Sequence, residues 1–131
     1  MTALEKHVRQ YVEAAKSAVP SITAPELAGE IERGEVTVVD VGRADERHDH
    51  GAIPESIWVP RGDVEYAADP ESQYYDPAFD LGDHYVCYCS GGGRGALAAA
   101  RLAEMGYPDV AYLGDGFAGW VEAGYEVEKV H

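Results

Sequence analysis

A cysteine, a glycine-rich loop and an arginine stand together in the middle of the chain. The loop follows an aromatic and apolar run at residues 85–89 with strand character and precedes a run rich in alanine and leucine with strong helix propensity. In such a unit, the loop N–H groups converge on one point, to which the helix macrodipole adds positive potential. The pattern predicts Cys89 as a catalytic nucleophile. The predicted substrate-binding loop consists of Ser90, Gly91, Gly92, Gly93, Arg94 and Gly95.

The two cysteines of the chain, Cys87 and Cys89, are expected to differ in role. They point to the same side of a strand, where a disulfide between such close neighbours is strained, so we expect two reduced thiols. Cys87 belongs to the apolar run and is predicted to be a core residue, with a resolving thiol as the alternative. A glycine loop closed by arginine packs poorly, which favours a reactive thiol over a structural one at Cys89.

The length and composition of the chain fit one domain. Its 131 residues are 46% hydrophobic, enough for one buried core. No apolar run approaches the ~20 residues that a membrane-spanning helix needs. The first residues lack the basic start and apolar middle of a secretion signal. We therefore expect a cytoplasmic protein.

Metal-ligating residue types occur in two short groups. His48 and His50 flank Asp49, and the two cysteines form a Cys-x-Cys pair, but neither group has further ligands at a metal-binding spacing. A solvated helix face is the favoured interpretation of the histidine group. The sequence thus predicts neither a metal site nor a cofactor.

The chain is strongly acidic. Asp and Glu number 24 against 10 Lys and Arg, which gives a formal net charge of −14. A field of that sign opposes binding to nucleic acid and to anionic membranes, so neither is expected as a partner.

The acidic excess also suits a cytoplasm of high salt concentration, because salt screens the repulsion between carboxylates. On this hypothesis of halophilic adaptation, we expect the midpoint of thermal unfolding to rise along a salt series. A midpoint that does not rise with salt concentration rules the hypothesis out.

Strand and helix patterns alternate along the chain. A stripe of apolar residues predicts an amphipathic helix over residues 2–19, with Thr2 and Glu5 as its capping box. A helix docked on the domain is favoured over a partner-binding face. A second capping box at Thr23 and Glu26 begins a helix that ends at Gly34. Further helices are predicted over 42–49, from 96 to about 105 and over 117–122, and strands over 36–41, 57–59, 85–89 and 110–113.

This alternation indicates an α/β fold with a mainly parallel central sheet flanked by helices. Sites in such sheets form at the carboxyl ends of strands, where Asp40 and Cys89 fall. We favour a loop-anchoring acceptor over a catalytic carboxylate for Asp40. The polar connection over residues 61–83 is a natural place for a substrate-side lid, and its Arg61 either steers an anionic donor or is a solvated charge.

Four blocks in the right order resemble the rhodanese-like domain of the sulfurtransferase family. They are Val-Val-Asp-Val at 38–41, Gly-Ala-Ile-Pro-Glu-Ser-Ile at 51–57, Cys-Ser-Gly-Gly-Gly-Arg at 89–94, and Leu-Gly-Asp-Gly-Phe at 113–117 followed by Trp120 and Gly124. The resemblance covers residues 22–128 and implies a three-layer rhodanese-like domain, with an additional N-terminal helix in residues 1–20.

Three places depart from the family pattern, although the nucleophile is retained. Gly42 stands where arginine usually follows the first block, and Arg43 comes one residue later. Ala52 and Glu55 replace the usual histidine and glycine of the second block, and Gly95 replaces a small residue that is often serine.

The resemblance implies sulfur transfer in two steps. The Cys89 thiolate takes the outer sulfur of a donor such as thiosulfate as a persulfide, and a thiol or cyanide acceptor then removes it. The alternative is a persulfide carrier or interaction module that serves a protein sulfur acceptor and turns over little on its own. Four residues separate Cys89 from Arg94. The related phosphatase and arsenate-reducing loops have five, so this length favours sulfur transfer.

Overall fold

Five parallel strands form the central sheet of the computed structural model, which describes residues 3–131. The spatial order is β1-β5-β4-β2-β3, so that β4, which leads into Cys89, is the middle strand. The strands are β1 (Ser21–Ile22), β2 (Thr37–Asp40), β3 (Ile57–Trp58), β4 (Tyr85–Tyr88) and β5 (Val110–Leu113).

Six α-helices lie along residues 3–131, in addition to a short 3-10 turn at Arg61–Asp63. They are α1 (Val8–Ala18), α2 (Ala24–Glu32), α3 (Ala44–His50), α4 (Val64–Ala67), α5 (Gly93–Met105) and α6 (Gly116–Glu122). Buried side chains of α1, α4 and α5 pack on one face of the sheet, and those of α2 and α6 pack on the other. The three-layer α/β fold with a parallel central sheet is therefore confirmed. No helix among these residues is long and apolar enough to cross a membrane.

Both faces of the middle strand β4 are buried, which explains its apolar sequence. Tyr85 and Cys87 belong to the core on the α5 side, whereas Val86 and Tyr88 belong to the core on the α2 side. Both faces of a parallel sheet are covered by helices, so every residue of such a strand must be apolar or have its polar group satisfied. Cys89 lies in the same core as Cys87, as the strand alternation predicted.

The helix bounds confirm the predicted capping of α2 and correct the start of α1. The Thr23 hydroxyl accepts the Glu26 N–H at 3.2 Å, and the Glu26 carboxylate accepts the Thr23 N–H. The first helix begins at Val8 rather than at residue 2, because Gln10 accepts the His7 N–H at 2.7 Å and caps the helix there. Thr2, the predicted cap, lies outside the described residues.

The apolar stripe of α1 is only half covered. Ala15 and Val19 are buried against the domain, whereas Leu4, Val8 and Tyr11 are 70%, 72% and 54% exposed. The carboxyl-terminal half of α1 is therefore docked on the domain, whereas the apolar residues before it are exposed.

Strand β1 was not predicted from the sequence. Ser21 and Ile22 pair in parallel with Tyr112 and Leu113 at the edge of the sheet. Two residues between a helix and a capping box are too short for an alternating pattern to be visible.

Part of the connection over residues 61–83 is fixed to the amino end of the sheet. The Tyr85 hydroxyl donates to the Ala78 carbonyl at 2.8 Å and accepts the Asp80 N–H at 2.6 Å. The Tyr107 hydroxyl donates to the Ala68 carbonyl at 2.6 Å. Tyr85 begins β4, so these bonds hold Ala68 and residues 78–80 at the end opposite Cys89. The start of the connection lies at the other end, where the Arg61 N–H donates to the Val41 carbonyl at 3.0 Å. A lid formed by this connection stays a prediction. The connection also contains the short helix α4, which begins at Val64.

Glu55, which stands where the family usually has glycine, has a positive φ of 67°. A side chain in this left-handed region costs about 1–2 kcal/mol, a cost that glycine avoids. We expect Glu55→Gly to raise the free energy of unfolding by about 0.5–1 kcal/mol, measured by denaturant unfolding. Glu55→Ala keeps the strained backbone and is the matched control. Equal stabilities of the two variants would contradict this explanation.

Candidate active site

Cys89 directly follows β4, and the first turn of α5 begins four residues later. Its side chain is only 3% exposed. The Gly95 N–H donates to the Cys89 Sγ atom at 3.4 Å, and the thiol donates to the Gly91 carbonyl at 3.4 Å. Because Gly95 lies in the first turn of the 13-residue helix α5, the sulfur stands at a helix N-terminus. The predicted strand–loop–helix placement of the thiol is confirmed.

Gly95 allows α5 to approach β4 closely. A Cβ atom on Gly95 would lie 3.1 Å from the Cys87 carbonyl oxygen and 3.2 Å from the Tyr88 Cα atom, both on rigid strand backbone. Glycine, which stands here in place of the more usual serine, thus lies where α5 packs tightly against β4. That packing brings the Gly95 N–H within reach of the Cys89 sulfur.

The N-terminus of α6 supports the back of the loop. The Phe117 N–H donates to the Cys89 carbonyl at 2.8 Å, and the Ala118 N–H donates to the Ser90 carbonyl at 3.1 Å. Gly116 has a positive φ of 64°, and a Cβ atom there would lie 2.6 Å from the Ser90 carbonyl oxygen. These bonds hold two loop carbonyls against the N-terminus of α6. The Leu-Gly-Asp-Gly-Phe block at 113–117 therefore acts on the site through its backbone.

The Arg94 guanidinium is paired with a carboxylate that the sequence analysis missed. Its two terminal nitrogens donate to the Glu46 carboxylate of α3 at 2.6 and 2.9 Å, and one of them also donates to the Ser90 hydroxyl at 3.2 Å. Such a two-point arginine–carboxylate pair is among the stronger charged hydrogen bonds. Anion binding by Arg94 stays a prediction, and Glu46 would compete with any anion for its donors.

This pairing sets the protonation of Glu46. The hydrogen bond from Arg94 is the largest cause that lowers the pKa of Glu46, to about 2. The Arg94 pKa is raised, first by the hydrogen bond with Glu46. The two groups thus remain oppositely charged over the physiological range of pH. A glutamate in the first turn of a charged helix looks like an ordinary capping residue in the sequence, so this contact had no local signal.

We expect Glu46→Gln to lower the free energy of unfolding by about 2 kcal/mol at neutral pH. The folded-state pKa is depressed, so the stabilisation is complete above the unfolded pKa and is lost as the pH falls from about 5 toward about 2. The difference between wild type and variant, measured by denaturant unfolding at several pH values, should therefore shrink with acidification. Glu122→Gln, at an exposed helix position, is the control. A difference that is independent of pH would contradict the ion-pair explanation.

Asp40 and Arg47 form a second ion pair beneath the first. Asp40 is buried, accepts the Gly42 N–H at 2.9 Å and pairs with Arg47 at 2.9 Å. Arg47 also donates to the Ser56 hydroxyl and carbonyl. The favoured role of Asp40 as a loop-anchoring acceptor is confirmed by these contacts. The sequence analysis did not identify Arg47 as its partner.

A small cavity of about 20 Å³ opens beside the cysteine. Its lining includes Cys89, Ser90, Glu46, Arg47, His50 and Phe117. The histidine group that was interpreted as a solvated face therefore contributes one member, His50, to this cavity. A space of this size holds about one water molecule.

Helix α1 borders the other side of the loop. The Lys16 Nζ atom lies 3.5 Å from the position of a Cβ atom on Gly92, and Val12 lies 3.6 Å from the corresponding position on Gly93. Gly92 itself approaches the Gly114 carbonyl, which a Cβ atom would meet at 2.9 Å. A lysine ammonium thus stands near the loop backbone.

Cys87 and Arg61, the remaining candidate residues, make contacts typical of residues that support the fold. Cys87 is fully buried, and burial raises the pKa of its thiol to about 12, which fits the predicted core role. Arg61 pairs with Glu65 at 2.9 Å, and Glu65 also pairs with Arg101 at 3.1 Å on the α4–α5 surface. In the described part of the chain, no group of three His, Cys, Asp or Glu side chains is arranged to hold a metal ion.

Comparison with protein families gives a match to the rhodanese-like domain over residues 23–123. A structure from Rhodopseudomonas palustris, of unknown function and described as a possible tyrosine phosphatase, is similar at 32% identity and a TM-score of 0.92, covering 98% of both chains. The human single-domain sulfurtransferase is 25% identical with a TM-score of 0.70, covering 82% of this chain and 99% of its own.

Two further relatives are longer than this chain. A thiosulfate sulfurtransferase from Pseudomonas aeruginosa is 26% identical with a TM-score of 0.71, and the match covers 95% of this chain and 23% of that one. The Arabidopsis thaliana protein HIGH ARSENIC CONTENT 1, mitochondrial, is 40% identical over 47 residues, which are 36% of this chain. The chain spans 28% of the length of that plant protein.

Proposed function

The chain belongs to the rhodanese-like domain family of sulfurtransferases, and from this membership we propose that it transfers a sulfane sulfur through a persulfide on Cys89. The observation that carries the proposal is the position of the thiol. Cys89 lies at the N-terminus of α5, accepts the Gly95 N–H and borders a cavity with room for about one atom.

The first step forms one sulfur–sulfur bond and breaks another. The Cys89 thiolate attacks the outer sulfur of thiosulfate, and the bonding pair of the donor leaves with sulfite. Cys89 then carries a persulfide anion, whose outer sulfur would occupy the small cavity. The loop N–H groups and the N-terminus of α5 stabilise the negative charge before and after this step.

The second step regenerates the thiolate. A nucleophilic acceptor, cyanide in an assay or a thiol in the cell, attacks the outer sulfur and carries it away, and the electron pair of the broken bond returns to Cys89. Both steps use the same sulfur atom of the enzyme, so ping-pong kinetics are expected.

The length of the loop supports sulfur over phosphate as the transferred group. Four residues separate Cys89 from Arg94, one fewer than in the related phosphatase loops, whose wider cradle suits a tetrahedral oxyanion. The N–H groups of Arg94 also donate to Glu46. In a phosphatase loop the corresponding groups would donate to the oxyanion of the substrate. The possible phosphatase description therefore remains with the Rhodopseudomonas palustris protein.

The alternative function is a persulfide carrier that turns over little without a protein partner. The specific observation that favours it is the same Arg94–Glu46 pair, because it leaves this guanidinium neutralised in a protein of net charge −14. A free dianionic donor then gains little attraction from Arg94, and Lys16 of α1 is left as a positive side chain beside the loop. A donor or acceptor protein would bring its own binding surface and would depend less on that attraction.

The proposed partners follow from this chemistry. They are a small sulfur donor and a thiol or cyanide acceptor, or a protein sulfur acceptor for the carrier. A reducing compartment such as the cytoplasm, our proposed location, would keep both cysteines as free thiols, the state in which they stand in the structure.

Steady-state transfer from thiosulfate to cyanide, followed by thiocyanate formation, tests the enzyme against the carrier. Turnover with ping-pong kinetics supports the enzyme. Stoichiometric sulfur loading without sustained turnover supports the carrier. Hydrolysis of an aryl phosphate by the same preparation, without either sulfur reaction, would overturn the proposal.

A further inference from the structure

A second, larger cavity lies beside β3. It encloses about 350 Å³, and six of its lining residues are Trp58, Pro60, Tyr66, Tyr74, Asp63 and Asp76. None of the three aromatic side chains belongs to the two hydrophobic cores of the domain. The packing of the fold therefore leaves these side chains unexplained.

The aromatic side chains form walls at different orientations. Trp58, Tyr66 and Tyr74 are 43%, 57% and 66% exposed. The two tyrosine rings stand at 84° to each other with their centroids 6.0 Å apart. The indole N–H of Trp58 donates to the Gly42 carbonyl at 2.9 Å, which fixes the third ring. Exposed rings grouped around one concave space are unusual on a surface that has no ligand or partner to contact.

The charge of the cavity is negative. Two carboxylates, Asp63 and Asp76, line it, and no lysine or arginine of the described chain lines it or forms an ion pair with either. One Asp76 oxygen accepts the Ala78 N–H at 2.9 Å, which leaves the other without that bond. The net charge of −14 adds a favourable potential for cations over the whole surface.

We propose that this cavity is a binding site for a quaternary ammonium ion. Aromatic faces attract cations through their quadrupoles, and a trimethylammonium group, which is weakly hydrated, packs its methyl groups against several rings at once. The two carboxylates supply the opposite charge without having to form hydrogen bonds. The two carboxylates repel an anion. A neutral ligand of the same shape packs against the rings but gains no electrostatic attraction.

The site is separate from Cys89 but shares a wall with it. Trp58 is bonded to Gly42, and Gly42 lines the small cavity that holds the thiol. Binding of the cation uses no group of the sulfur chemistry, so it does not depend on the proposed transfer reaction. Trp58 is left unchanged in the test below because it also supports Gly42.

Isothermal titration calorimetry of the intact protein with choline tests the proposal. The matched ligand is the neutral carbon isostere of choline, in which a tert-butyl group replaces the trimethylammonium group. We expect choline to bind about tenfold more tightly than the isostere. Equal affinities would show an apolar pocket without cation selectivity. The absence of binding heat, together with an unfolding midpoint that choline does not change, would exclude the site. Either result overturns the proposal.

Variants locate the binding. Tyr74→Ala and Asp63→Asn are each expected to weaken choline binding by about three- to tenfold. Tyr11→Ala removes another exposed aromatic ring, on α1, and should leave the affinity unchanged. Tyr74 and Tyr11 are both exposed, so neither substitution is expected to unfold the protein. Circular dichroism of each variant verifies that it is folded. Choline binding that is insensitive to Tyr74→Ala and Asp63→Asn would overturn the assignment to this cavity.

Discussion

Replacement of Cys89 by alanine is expected to lower sulfur transfer from thiosulfate to cyanide below about a thousandth of the wild-type rate, because the nucleophile that carries the sulfur is lost. The free energy of unfolding should change much less than the rate. Initial rates of thiocyanate formation, normalised to folded protein, provide the measurement.

Cys87→Ala is the matched control for this prediction. Cys87 lies two residues earlier, points into the same core and is fully buried, with its thiol pKa raised to about 12. We expect its replacement to cost about 1 kcal/mol of stability from lost packing and to leave the transfer rate within about twofold of wild type. Loss of transfer in Cys87→Ala with retention in Cys89→Ala would reverse the assignment of the two thiols.

Gly116→Ala is expected to reduce the transfer rate by about a hundredfold although residue 116 does not touch the thiol. The added Cβ atom would overlap the Gly91 carbonyl, which accepts the hydrogen bond of the thiol, and would lie 2.6 Å from the Ser90 carbonyl oxygen, so either the loop or α6 must move. The bonds from α6 to the Cys89 and Ser90 carbonyls would then be disturbed. A displacement of about 1 Å at a catalytic group is enough for an effect of this size.

Gly124→Ala is the control that separates the effect of the steric contact at residue 116 from the effect of alanine at a positive φ. Gly124 also has a positive φ, of 85°, but a Cβ atom there meets no atom within 4 Å. Both variants therefore incur a similar cost of about 1 kcal/mol for alanine in the left-handed region, and only Gly116→Ala disturbs the loop. Equal transfer rates in the two folded variants would contradict the supporting role of α6.

The sequence predicted the parts of the fold that depend on local patterns. The α5 helix ends at Met105 before Gly106 because alanine-rich residues favour the helix and glycine adopts the positive φ of 115° at its end. The capping box of Thr23 and Glu26 was visible for the same reason, since its two partners are three residues apart. The position of Cys89 followed from the change from strand to helix propensity around it.

The contacts that shape the site could not be predicted in this way. Arg94 and Glu46 are 48 residues apart and meet because α3 and α5 both begin at the carboxyl end of the sheet. A local pattern gives each of them an ordinary role in the first turn of a helix. The bonds from Phe117 and Ala118 to the loop are made by backbone groups, which carry no residue-specific signal. Tertiary packing alone determines these contacts.

The central claim is that Cys89 carries the sulfur, and intact-mass measurement after incubation with thiosulfate and removal of excess donor tests it most directly. Both cysteines lie too close in the chain for simple peptide mapping, so the measurement is made on wild type, Cys87→Ala and Cys89→Ala. The predicted result is a gain of one sulfur atom in wild type and Cys87→Ala, its removal by cyanide, and no gain in Cys89→Ala. A gain that persists in Cys89→Ala, or no gain in wild type with either thiosulfate or a thiol persulfide as donor, would contradict the claim.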